Sequence, residues 1–166
     1  MTDTAFIPRP TRRRQRVALL LAVAAVPTVG SASAQEVPQS RPARAEAEAA
    51  VRQVLVDAYV SGVHVDRDPE AVRHGFHPDF VMLVYDDGEL VDVSLRAWLD
   101  HMGLDDVPNP DTIRHSFRSV DVTGSAASAI MEIYENGTHI YTDYFSLYRF
   151  PAGWRIVGKI FHDHGE

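Results

Sequence analysis

The chain has 166 residues, a formal net charge of -7, 45% hydrophobic and 23% charged residues, and no cysteine. That composition suits one soluble globular domain. It excludes a disulfide scaffold, a thiolate metal site and a cysteine nucleophile, and it holds too much apolar residue for a disordered chain.

The first stretch has the order of a secretory signal peptide. Arg12, Arg13, Arg14 and Arg16 form a basic cluster, an apolar run follows from Val17 to Val26, and Ala32-Ser33-Ala34 gives a small-residue cleavage signal. The apolar run falls short of the roughly 20 residues that a bilayer span needs. Gln15 and Arg16 stand where a twin-arginine signal turns apolar, which favours the general secretory route. Residues 1-34 are therefore expected to be removed and the protein to be exported, periplasmic or secreted. Removal takes away five arginines and one aspartate, which moves the net charge from -7 to -11. So acidic a chain is a poor partner for nucleic acid or for an anionic membrane surface once the signal is gone.

Residues 35-44, with Pro38 and Pro42, read as a flexible lead-in to a single domain over 45-166. From Ala45 the periodicity is helical: Val51, Val54, Leu55, Ala58 and Tyr59 make one apolar stripe, and Gly62 is the expected stop. Asp68-Pro69-Glu70 starts a short second helix, with Asp68 as N-cap, ending near Gly75. Phe80 to Tyr85 and Glu89 to Val93 read as strands around an Asp86-Asp87-Gly88 turn. Ser94 caps a third helix carrying Leu95, Trp98, Leu99 and Met102, and Gly103 to Asp111 is a loop. Four strands follow at 114-122, 125-135, 138-149 and 154-162, with Asn136-Gly137 the strongest hairpin signal. Helices before a run of strands predict an α+β fold, helices on one face of a curved antiparallel sheet.

Several stretches resemble the putative lumazine-binding family of the nuclear transport factor 2-like superfamily. They are Tyr59-Val60-Ser61-Gly62 with Asp66, Phe76-His77-Pro78-Asp79, and Asp87-Gly88 before Ser94-Leu95. Then come Val120-Asp121-Val122-Thr123-Gly124, Tyr141-Thr142-Asp143-Tyr144-Phe145 and the run from Gly153 to Phe161. Together they cover nearly all of 45-162 in order. The resemblance implies a cone-shaped fold around a pocket, often in a dimer. It implies neither lumazine binding nor, motif by motif, the catalytic residues of related isomerases, dehydratases and cyclases.

Register arithmetic selects the candidate site. With no bulge, the Asn136-Gly137 hairpin sets Glu132 against Tyr141 and Ile130 against Asp143. The last hairpin sets Tyr141 against His162 and Asp143 against Ile160. Directly opposed residues share a face, so one face is expected to carry Glu132, Tyr141, His162, Asp143 and Phe145, polar at one end and apolar at the other. A pocket wall needs that mixture. Tyr59 and Trp98, on helical stripes, are candidate ligand contacts from the helix side. The opposite face is expected to hold Met131, Thr142 and Phe161, then Ala129, Tyr144 and Lys159.

Three functions follow as expectations. The first is an exported domain that binds a small apolar or amphipathic molecule through Tyr59, Trp98, Glu132, Tyr141 and Phe145. The second is a cofactor-free proton-transfer enzyme with Asp143 and His162 as acid and base. The third is a homodimerisation module using the Thr142-Tyr144 face. His139, His162 and His164 share one face in this register, but no tight metal-ligand spacing occurs, so no metal is expected. No cofactor motif is visible either. His64 and Asp66 follow the first helix and are expected as solvated loop residues, and His77 as a turn or cap residue.

Overall fold

A computed structural model describes residues 40-104 and 107-165. The expected signal peptide and residues 35-39 of the expected lead-in lie outside the described residues. Helix α1 runs Arg41-Leu55, so it begins inside the expected lead-in. Pro42 sits in its first turn, where a missing N–H costs nothing. Gly62 does not stop the helix. The chain continues as a π-helical segment, Val56-Val65, ending with Asp66 N–H donating to Ser61 O at 2.7 Å. Helix α2, Pro69-Gly75, begins as expected: Asp68 Oδ1 accepts from the N–H groups of Glu70 and Ala71.

Strands β1 (Phe76-Asp86) and β2 (Glu89-Ser94) form a hairpin. Its turn places Asp87 and Gly88 at positive φ, the geometry a two-residue hairpin needs. Helix α3 is Leu95-Met102, with Ser94 Oγ accepting from Ala97 N–H. Then come β3 (Ile113-Thr123), β4 (Ala126-Glu135), β5 (Thr138-Phe150) and β6 (Gly153-Asp163). The sheet order is β2-β1-β6-β5-β4-β3. The last four strands form the expected antiparallel meander, and β1 joins β6 in parallel. The helices cover the inner face of this curved, unclosed sheet. Among the described residues, no helix is long and apolar enough to cross a membrane.

The core lies between helices and sheet. Val51, Leu55 and Tyr59 share one buried cluster with Met131, Ile133, Leu147 and Ile156, while Trp98 of α3 packs edge to face on Phe76 and at a tilt against Phe80.

Within the β3-β6 meander, three strands each carry an extra residue. Arg118 is unpaired between Phe117 and Ser119 on β3, Ile140 between His139 and Tyr141 on β5, and Val157 between Ile156 and Gly158 on β6. Each bulge shifts register by one, and a one-residue slip exchanges the faces of everything beyond it. Asp143 therefore opposes Met131 and Phe161 rather than Ile130 and Ile160. Met131, Phe161, Ala129 and Lys159, expected on the outer face, turn inward beside Asp143 and Phe145. Glu132 and His162 turn outward, opposite Thr142.

Candidate functional site

Asp143 and Lys159 project from neighbouring strands into the helix-sheet interior. The Lys159 Nζ lies 2.7 Å from Asp143 Oδ1, and the two side chains are 5% and 0% exposed. From the π-helical segment, the Tyr59 hydroxyl donates to Asp143 Oδ2 at 2.8 Å and accepts from Lys159 Nζ at 3.0 Å. These three groups close a triangle in which Asp143 Oδ2 accepts the Tyr59 hydrogen bond, while Oδ1 is in ion-pair contact with Lys159 but makes no hydrogen bond. The Lys159 ammonium also sits 4.6 Å from the Phe161 ring centre, 4.8 Å from that of Tyr59, 5.6 Å from that of Trp98 and 5.9 Å from that of Tyr141. Such rings attract a cation held over their faces.

Burial dominates the electrostatics. It pushes the Tyr59 phenol well above its ordinary range, with the charge of Asp143 adding to the effect. It pulls the Lys159 ammonium below its ordinary range despite the favourable pull of Asp143. His64, five residues after Tyr59, is pushed down to about 4 by desolvation first and by the Lys159 charge second. Its ring meets Tyr59 edge to face at 4.8 Å. Its Nε2 is closed off from solvent and has no hydrogen-bond partner.

The π-helical winding explains why Tyr59 and His64 meet. In an α-helix, residues five apart lie about 140° apart around the axis. Hydrogen bonds from i to i+5 bring such positions to the same side, and π-helical turns often occur at functional sites. This end of the fold is tied together by loop contacts. Asn109 N–H donates to Val65 O, and Thr112 N–H donates to Asn136 Oδ1 in the β4-β5 turn.

Of the residues expected from sequence, the structure brings Tyr59, Trp98, Tyr141, Asp143 and Phe145 to the inner side. It does not bring Glu132 or His162 there. Glu132 faces outward and accepts from Ser116 Oγ and Tyr134 OH, each at 3.0 Å, which lowers its carboxyl pKa. His162 is exposed on that same outer face, so the expected Asp143-His162 acid-base pair does not form. Sequence reasoning missed Lys159 and misplaced His64. A lone lysine in the apolar run Trp154-Arg155-Ile156-Val157-Gly158-Lys159-Ile160-Phe161 was the available signal for the first. Nothing local signals the winding that turns His64 inward.

On the outer face, the His139 and His164 rings stack at 3.8 Å, and Thr142 Oγ1 lies 3.2 and 2.9 Å from their Nε2 atoms. Among the described residues, no group of three or more histidine and acidic side chains is arranged to hold a metal ion. His77 takes the turn role, its Nδ1 accepting from Asp79 N–H. A surface cleft of about 690 Å³ near α2 and the β5-β6 turn shares no residue with the Lys159 cluster. Its Arg73 is already paired with Glu70.

The fold is similar to several solved structures. A nuclear transport factor 2-like protein of unknown function from Shewanella baltica is 24% identical, with 72% of this chain and 95% of that chain covered and a TM-score of 0.61. One from Silicibacter pomeroyi is 21% identical, with 72% and 98% covered and a TM-score of 0.60. One from Methylobacillus flagellatus is 24% identical, with 70% and 90% covered and a TM-score of 0.56. These likenesses establish the nuclear transport factor 2-like fold. Comparison with curated proteins finds no match. Residues 46-162 match the family described as Putative lumazine-binding, and the chain belongs to that family.

Proposed function

We propose that the protein is an exported domain that binds a small apolar or amphipathic molecule on the inner side of the sheet, where Tyr59, Trp98, Tyr141 and Phe145 converge. The observation that carries this reading is the closed Lys159-Asp143-Tyr59 triangle among aromatic rings. An ion pair buried this deeply contributes little net stability, and apolar residues of similar volume often serve a core as well or better. An aromatic wall with a few converging polar groups is the usual make-up of a small-molecule site. Both Asp143 oxygens already face a proton donor from the chain itself, which favours holding a ligand over abstracting a proton. The proton-transfer alternative has also lost its His162 partner. Export rests on the order of residue types in 1-34.

Native mass spectrometry of the protein from its own host's export compartment tests both parts. The expected result is a chain lacking residues 1-34 that carries a small molecule. A full-length chain retained in the cytosol would refute export, and a chain empty after gentle isolation would refute tight binding.

A specific observation favours self-association as a second property. Ile160, Tyr144 and Ile130 pair side by side across three strands on the outer face, with Ile160 and Tyr144 50% and 41% exposed, and Leu83 of β1 lines the same surface. The row borders a groove of about 520 Å³ floored by Ser128, Ser146 and Gly158. A large apolar patch on a sheet suits a two-fold contact with a second copy. Thr142, expected to share this surface, is buried under His139 and His164.

A further inference from the structure

Resting on the ligand-binding reading above, we propose that the bound molecule is uncharged and built on a planar ring, and that its hydroxyl or amide group pairs with Nε2 of His64. The first support is the state of that nitrogen. It is closed off from solvent with no partner, and a buried polar atom left so carries the full desolvation penalty. A hydroxyl on a ligand would relieve it, and a hydroxyl suits either tautomer of the neutral ring because it both donates and accepts.

The second support is the charge balance around it. Lys159 and Asp143 are the charged side chains buried among the described residues, and they neutralise each other at 2.7 Å. Among the described residues, an anion entering here would meet the Lys159 ammonium only as half of an ion pair, and a cation would meet Asp143 only as the other half. Transferring either from water without a counter-charge is strongly unfavourable. His64 supplies no positive charge near neutral pH, because burial and the Lys159 charge keep its ring unprotonated.

The third support is shape. The Tyr59, Trp98, Tyr141 and Phe161 rings surround the Lys159 head, and aromatic faces and edges pack well against a flat ring. The π-helical winding aims Tyr59 and His64 inward together. The same segment therefore supplies one wall and the polar anchor.

Calorimetric titration of the purified full chain with 2-naphthol, 2-naphthoate and 2-methylnaphthalene tests this assignment, repeated on His64→Phe and His64→Gln. We expect 2-naphthol to bind at least about tenfold more tightly than 2-naphthoate. We expect His64→Phe to weaken 2-naphthol by about tenfold, the scale of one buried hydrogen bond, and to leave 2-methylnaphthalene unchanged. His64→Gln, which retains a hydrogen-bonding amide, should recover part of the loss. Tighter binding of 2-naphthoate overturns the proposal, and so does unchanged 2-naphthol affinity in His64→Phe. In either case the binding site itself stands. Failure of all three probes to bind the unmodified protein overturns the planar-ring assignment, whereas the ligand-binding reading itself is decided by the native mass spectrum.

Discussion

Lys159 and Asp143 hold opposite charges where neither is solvated, and each depends on the other. Asp143→Asn keeps the shape of the side chain but leaves the lysine without its counter-charge. It should cost about 3-5 kcal/mol, the usual scale for halving a buried pair. The double variant Asp143→Leu with Lys159→Met removes both charges and should recover most of that loss. Urea denaturation of Asp143→Asn, of Asp143→Leu and Lys159→Met singly, and of the double variant checks this. Additive losses in the double variant would show that the charges do not act as a pair. His64 makes a separate prediction through pH. Its ring titrates near 6.5 when unfolded and at about 4 in the fold. Between those values the unfolded chain binds more protons, so this contribution is complete above about pH 6.5 and is lost as pH falls toward 4. A shift of that size corresponds to about 3 kcal/mol. His64→Phe should flatten this part of the stability profile between pH 6.5 and 4, as measured by urea midpoints at several pH values. Parallel profiles for the two proteins would rule out a buried, neutral His64.

At the scale of elements, close packing sets the position of the π-helical segment. Gly75 ends α2 against Ala58 of that segment, and a Cβ on Gly75 would overlap the Ala58 side chain. The space, rather than backbone freedom, requires glycine there. Gly75→Ala should destabilise the protein by about 1-3 kcal/mol, the cost of forcing an extra methyl into a filled interior. A thermal midpoint equal to that of the unmodified protein would show that the two helices separate without cost. Element boundaries were largely legible in the sequence, because they follow from local chemistry: the Asp68 and Ser94 caps, the Asn136-Gly137 turn and the alternation along the last strands. The pairing of those strands was not legible. Both hairpins start in the expected register, Glu135 against Thr138 and Phe150 against Gly153. Ile140 and Val157 then each add one residue and invert the partners beyond them. The sequence reading thus placed Tyr141, Asp143 and Phe145 on a common face, as the structure does, but gave them Glu132 and His162 as partners in place of Met131, Lys159 and Phe161. A bulge residue has no required side-chain type, and both Ile140 and Val157 look like ordinary strand residues. The same limit hid His64, since the winding of a helix depends on its tertiary contacts as much as on its sequence.

For the molecule as a whole, the inner face is occupied by helices and the outer face is left with an apolar row. Ile160 and Tyr144 sit at the middle of that row, on the adjacent strands β6 and β5. In a two-fold contact centred there, each residue would approach its own copy, so one substitution places two new groups across the axis. Ile160→Lys would set two ammonium groups against each other in a surface that excludes water, where like charges are strongly unfavourable. The side chain is half exposed in the single chain, so the same change should leave the thermal midpoint of the subunit nearly unaltered, within about 0.5 kcal/mol of stability. Sedimentation velocity at tens of micromolar should therefore find the unmodified protein as a dimer and Ile160→Lys as a folded monomer. The net charge, -7 for the whole chain and -11 without residues 1-34, opposes association at low ionic strength, so added salt should strengthen the dimer by screening repulsion while leaving the apolar contact intact. A monomer at every salt concentration would mean that the row is not a self-association surface. A dimer that persists in Ile160→Lys would place the contact elsewhere on the molecule.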